Sequence, residues 1–84
     1  MRIYMQTQAV KDKAPRYYQL NIQQDLIEGW TLVREWGNLG SGGRVKHDHF
    51  ESLEDTLEAC IKVRDAQLER GYQLMFTQGQ ELCA

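Results

Sequence analysis

The chain has 84 residues, 42% of them hydrophobic and 26% charged, with a formal net charge of −2 and a pI near 5.6. These residues suffice for one domain around one core, with no room among them for an inserted catalytic unit. The composition excludes a surface coated in positive charge, two cysteines (Cys60 and Cys83) make no disulfide framework, and no run reaches the roughly 18 apolar residues of a membrane span.

The first residues, Met1-Arg2-Ile3-Tyr4-Met5-Gln6, lack the apolar stretch of a signal peptide, so a cytoplasmic, reducing setting is the expectation. Through His49 there are seven Lys and Arg against five Asp and Glu, and after it three against seven, so the halves carry +2 and −4. Such an asymmetry can place a basic patch on an acidic protein, and the local field, not the total charge, attracts a polyanion.

In chain order, Ile3 and Met5 alternate with polar residues, predicting an N-terminal strand over about 2–10. Pro15 marks a turn or the edge of the next strand. From Arg16 to Gln24, Tyr18, Leu20 and Ile22 fall on one side and Tyr17, Gln19, Asn21 and Gln23 on the other, the period-2 pattern of a half-buried strand. Trp30 to Trp36, rich in β-branched and aromatic residues, is predicted to pair antiparallel to it. Gly37, Gly40, Gly42 and Gly43 punctuate a loop that can take positive φ at four places. Arg44 to Phe50 follows as a less apolar strand near an edge.

Ser52 is an N-cap with Asp55 three positions on, heading a helix from about Leu53 to Arg70 that Gly71 stops. Its predicted inward stripe is Leu53, Leu57, Cys60, Ile61, Arg64 and Leu68, with Glu58 and Lys62 paired outside. Tyr72 to Thr77 is a final short strand or an extended tail on the sheet edge. The fold class is therefore α+β: a small antiparallel sheet of four to five strands with one long helix packed across it, a core over 16–77 and a frayed tail over 78–84.

The stretch Arg34-Glu35-Trp36-Gly37-Asn38-Leu39-Gly40-Ser41-Gly42-Gly43, the strand with Lys46 and Phe50, and Ser52-Leu53-Glu54-Asp55 heading a helix that ends at Gly71-Tyr72 together resemble the WGR domain. That family is best known from the DNA-dependent poly(ADP-ribose) polymerases and also occurs in bacterial proteins, as a short chain or attached to other domains. The resemblance implies a module that contacts DNA ends or nicks. Trp36 is similar to the tryptophan that packs on the terminal sugar, and Gly37 to the glycine that lets it turn outward. Asn38 departs from the motif arginine, which couples DNA binding to neighbouring domains; asparagine has no guanidinium fork for carboxylate or phosphate. His47 stands where an apolar residue is commoner.

Strand alternation alone gives Trp36 a second reading, since it shares a face with Trp30, Leu32 and Arg34 and can simply extend the core. Arg34, Arg44 and Lys46 are the cations nearest it in sequence, and Arg44 and Lys46 project from one side of a strand, as tracking successive phosphates requires. His47 and His49 also face one way, but two ligands make no zinc site, and neither a metal nor another cofactor is expected. No serine or cysteine has a credible base and no carboxylate pair falls on an identifiable cleft, so no catalysis is expected. Three functions remain open: a nucleic-acid-binding module using Trp36, Gly37, Asn38, Arg34, Arg44 and Lys46; a protein-interaction module that grips a partner with the same rim; and a domain that self-associates through a sheet edge.

Overall fold

Side-chain alternation sets the first two strands of the computed structural model, which describes residues 1–9, 12–25 and 28–78. Ile3 and Met5 point inward from β1 (Arg2–Gln6), and Tyr18, Leu20 and Ile22 from β2 (Arg16–Gln24). β1 stops well short of residue 10. The Thr7 amide donates to the Arg16 carbonyl at 2.8 Å and the Arg16 amide donates to Thr7 Oγ1 at 2.8 Å, which closes the strand pair at that point. Val10, at the far end of the predicted strand, and Lys11 after it lie outside the described residues.

β3 (Trp30–Asn38) pairs antiparallel with β2 over its full length, from Arg16 opposite Asn38 to Gln24 opposite Trp30. It runs two residues past Trp36, so Gly37 and Asn38 stay in the ladder. β4 (Arg44–Phe50) pairs antiparallel with β3 and forms one edge.

The helix α1 (Leu53–Glu69) opens with the Asp55 amide donating to Ser52 Oγ at 3.1 Å and the Thr56 hydroxyl donating to the Ser52 carbonyl at 2.7 Å. It closes at Gly71, whose φ of +104° suits glycine. There the Tyr72 amide donates to the Gln67 carbonyl at 3.1 Å and the Gly71 amide to the Leu68 carbonyl at 3.2 Å, satisfying two carbonyls of the last turn. The chain then forms β5 (Gln73–Gln78), antiparallel to β1, and the sheet order is β4-β3-β2-β1-β5. The helix thus carries the chain from one edge of the sheet to the other. Past Gln78, the expected tail and Cys83 lie outside the described residues.

The core sits between α1 and one face of the sheet. Ile3, Met5, Leu20, Leu32 and Cys60 are almost completely buried, with Tyr18 and Ile22 beside them and Leu53, Leu57 and Val63 packed against the cluster. The inward stripe differs from the predicted one. Thr56 and Gln67 are buried, whereas Ile61 and Leu68 are 40% and 36% exposed. A row through Leu53, Thr56, Cys60, Val63 and Gln67 faces the sheet, and Ile61 and Leu68, one position on from Cys60 and Gln67, are swung about 100° toward solvent. Thr56 tolerates burial because its hydroxyl is bonded to the helix cap.

Candidate nucleic-acid interface

Antiparallel register gathers the basic residues with the tryptophan. Trp30, Leu32, Arg34 and Trp36 project from the helix-covered face of β3, and their partners Phe50, Asp48, Lys46 and Arg44 project from the same face of β4. Trp36 lies directly opposite Tyr18 on one side and Arg44 on the other. Its ring stacks on Tyr18, with centroids 5.6 Å apart and planes 12° from parallel, and Tyr72 meets Tyr18 edge-on at 6.0 Å. Trp36 is partly buried and is not sealed beneath the helix.

The ring instead lines a cleft of about 490 Å³ between the end of β3 and the end of α1. Its walls are Tyr18, Trp36, Gln67 and Tyr72 together with Arg16, Arg34 and Arg70, and no carboxylate is among the lining residues. A second cleft, of about 420 Å³, shares Arg16 and adds Lys13, Ala14 and Asn38. Sequence reasoning missed Arg16, Arg70 and Lys13. For Arg16 a signal existed, since pairing β2 with β3 puts it opposite Asn38. For Arg70 there was none, because its place depends on where the helix ends over the sheet.

Arg34 and Lys46 are less free than expected. Arg34 Nε lies 2.9 Å from Asp48 Oδ2, an ionic contact without the alignment of a hydrogen bond, and Lys46 Nζ lies 3.9 Å from Asp48 Oδ1. One carboxylate therefore sits between two of the proposed cations. The alternation that aligned Arg44 with Lys46 also places Asp48 on their face, a residue sequence reasoning passed over. Arg44 and Lys46 are exposed.

The glycine loop works differently from its expected form. Of Gly37, Gly40, Gly42 and Gly43, Gly40 alone has a positive φ, +89°. Gly37 and Gly43 are needed for close approach. A Cβ on Gly37 would come within 2.9 Å of the Gly43 Cα; one on Gly43 would strike the Tyr17 hydroxyl and come within 2.6 Å of the Trp36 carbonyl oxygen. Gly37 thus lets the loop fold back against β3. The Tyr17 hydroxyl donates to Glu35 Oε2 at 2.8 Å; that bond, with burial, raises its pKa above the usual tyrosine value. Asn38 is exposed at the end of β3, and its carbonyl accepts from the Ser41 amide at 3.2 Å.

His47 and His49 stand on the other face of the sheet, away from Trp36. His49 Nδ1 lies 2.7 Å from Asp25 Oδ2, and among the described residues no three metal-ligating side chains gather. Burial pushes the Cys60 thiol up to about 11.

Residues 1–78 match the WGR domain family. An uncharacterized protein of Sinorhizobium fredii, y4dW, is 28% identical over 72 residues, which cover 86% of this chain and 35% of the relative. The chain thus spans about a third of the length of that curated relative. No solved structure matches the chain significantly. Among the described residues no helix is long and apolar enough to cross a membrane. WGR domains are generally nucleic-acid-binding modules. Because the match runs through the helix and all the strands described above, this chain belongs to the WGR domain family.

Proposed function

We propose that this domain binds DNA at ends or nicks, with Trp36 packing on the terminal sugar or base and Arg34, Arg44 and Lys46 reaching the phosphates, joined by Arg16 and Arg70. The observation that carries this reading is the cleft lined by an accessible indole and three guanidinium groups without a carboxylate. Guanidinium forks suit phosphate oxygens, and a local positive field suffices on a chain of net charge −2. An end is favoured over continuous duplex because its terminal base pair keeps one face unstacked for the ring, and a nick because the broken backbone lets the flanking stack open. Such a contact is worth about 1–3 kcal/mol per stacked base.

The test is a titration of nicked, blunt-ended and hairpin-capped duplexes at several salt concentrations. Saturable binding to the first two, with a log-log salt slope of about −4 to −5, is the expected result. Absence of binding at low salt sinks the reading. A protein partner held by the same rim is the alternative, and Asp48 between Arg34 and Lys46, with uncharged Asn38 in the motif, favours it. In this reading the domain works in the cytoplasm of a bacterium.

A further inference from the structure

The sheet has two edges of opposite character. β4 carries Arg44, Lys46, His47, Asp48 and His49, and charged edges resist pairing with another chain. β5 reads Gln73-Leu74-Met75-Phe76-Thr77-Gln78, with neither charge nor proline. Leu74, Met75 and Phe76 are 49%, 54% and 41% exposed. Among the described residues β5 pairs with β1 alone, which leaves its outer row of amides and carbonyls facing away from the sheet.

We propose that β5 joins two copies of this chain, antiparallel about a two-fold axis, into one continuous sheet. The register supports a second copy as the occupant. Opposite β1, Tyr4 pairs with Phe76 but Met5 with Leu74, so Met75 is the extra residue of a bulge. Leu74 and Thr77 therefore both lie opposite core residues, Met5 and Ile3, on the helix face. Gln73 and Gln78 lie opposite Gln6 and Arg2 on the open face. In a regular strand residues three apart project from opposite faces; the bulge brings them to one.

An antiparallel register with Met75 opposite the second copy's Phe76 then sets Leu74 against Thr77 and Gln73 against Gln78, each pair on a single face. Sliding either copy by one residue mismatches Leu74. Phe76 is already held at the edge, stacked on Tyr4 at 5.5 Å, which is itself stacked on Tyr17 at 6.4 Å, so little side-chain freedom is lost on association.

This contact is isologous and closes on itself, whereas β5 against β4 would oppose an apolar edge to a charged one and propagate. It is small beside the roughly 800 Å² per partner of a standard interface, so the dimer is reversible and concentration-dependent. Both helices fall on the same side of the joined sheet, leaving both Trp36 clefts facing one way. The inference does not depend on what those clefts bind.

Sedimentation equilibrium of the whole chain from dilute to near-millimolar concentration tests it, beside Met75→Lys and a control, Val45→Lys, on the opposite edge. Wild type and Val45→Lys should approach twice the monomer mass reversibly, while Met75→Lys weakens association by on the order of tenfold or more through burial of an unpaired charge. A wild-type monomer throughout, loss of dimer in Val45→Lys, or species that keep growing with concentration overturns the proposal. Should Met75→Lys fail to fold, amide exchange of wild-type β5 decides: protection must rise with concentration, and protection independent of it means that another part of the same chain covers the edge.

Discussion

Trp36 lies flat on Tyr18, their ring centroids 5.6 Å apart and their planes 12° from parallel. A stacked aromatic pair contributes about 0.5–1.5 kcal/mol beyond its buried area, and it fixes the indole before any ligand arrives. Trp36→Ala should therefore do two things: lower the thermal midpoint, and weaken DNA binding by about 1–3 kcal/mol. Anisotropy of a labelled nicked duplex reads the second effect without relying on the protein's own fluorescence.

Asp48 restrains two cations, with Arg34 at 2.9 Å and Lys46 at 3.9 Å. Asp48→Asn should release both to phosphate, tightening DNA binding several-fold and steepening the log-log salt slope by about one. Salt-dependent titrations of the variant and wild type check this. Weaker binding by the variant would mean that Asp48 orients Arg34 toward the ligand instead of competing with it.

Arg16 and Arg70 come from β2 and from the end of α1, yet line one cleft. If each meets a phosphate, Arg16→Ala and Arg70→Ala should each flatten the salt slope by about 0.9 with little dependence on DNA sequence.

The loop glycines should separate by mechanism in thermal melts. Gly43→Ala forces a Cβ onto Tyr17 and the Trp36 carbonyl, so it should destabilise most. Gly40→Ala meets no atom but keeps a φ of +89°, at a cost of about 1–2 kcal/mol. Gly42→Ala has neither problem and should stay within about 0.5 kcal/mol of wild type.

Cys60 gives the fold a pH dependence at its alkaline end. In the folded chain its thiol is raised from 9.0 to about 11 by burial, so the unfolded chain ionises first. Its contribution to stability is complete below pH 9 and is lost as pH rises toward 11. Denaturation curves across this window should fall more steeply for wild type than for Cys60→Ala, and thiol reagents near neutral pH should modify Cys60 only on unfolding.

Most of the architecture was legible in local pattern. The alternation of Tyr18, Leu20 and Ile22 delimited β2 as Arg16–Gln24, and Ser52 and Gly71 marked the ends of α1, because strand alternation and helix caps act over a few residues. The inward face of α1 was less legible: Thr56 and Gln67 face the sheet where apolarity pointed to Ile61 and Leu68. Around Trp36, the alternation that brought Arg34, Arg44 and Lys46 together also held Asp48, and needed only to be carried one pair further. Arg70 and the packing of Gly43 on Tyr17 arise from tertiary approach, which no spacing along the chain records.

The pairing of Arg2 with Gln78 sets the first strand and the last side by side. A longer polypeptide carrying this fold would enter and leave it through a single seam, so the module can hang from a host loop without forcing the host's own ends apart. Because that seam lies toward the β1–β5 side, a host need not shadow the arginine-rim cleft near β3, and the tethered unit keeps its reach.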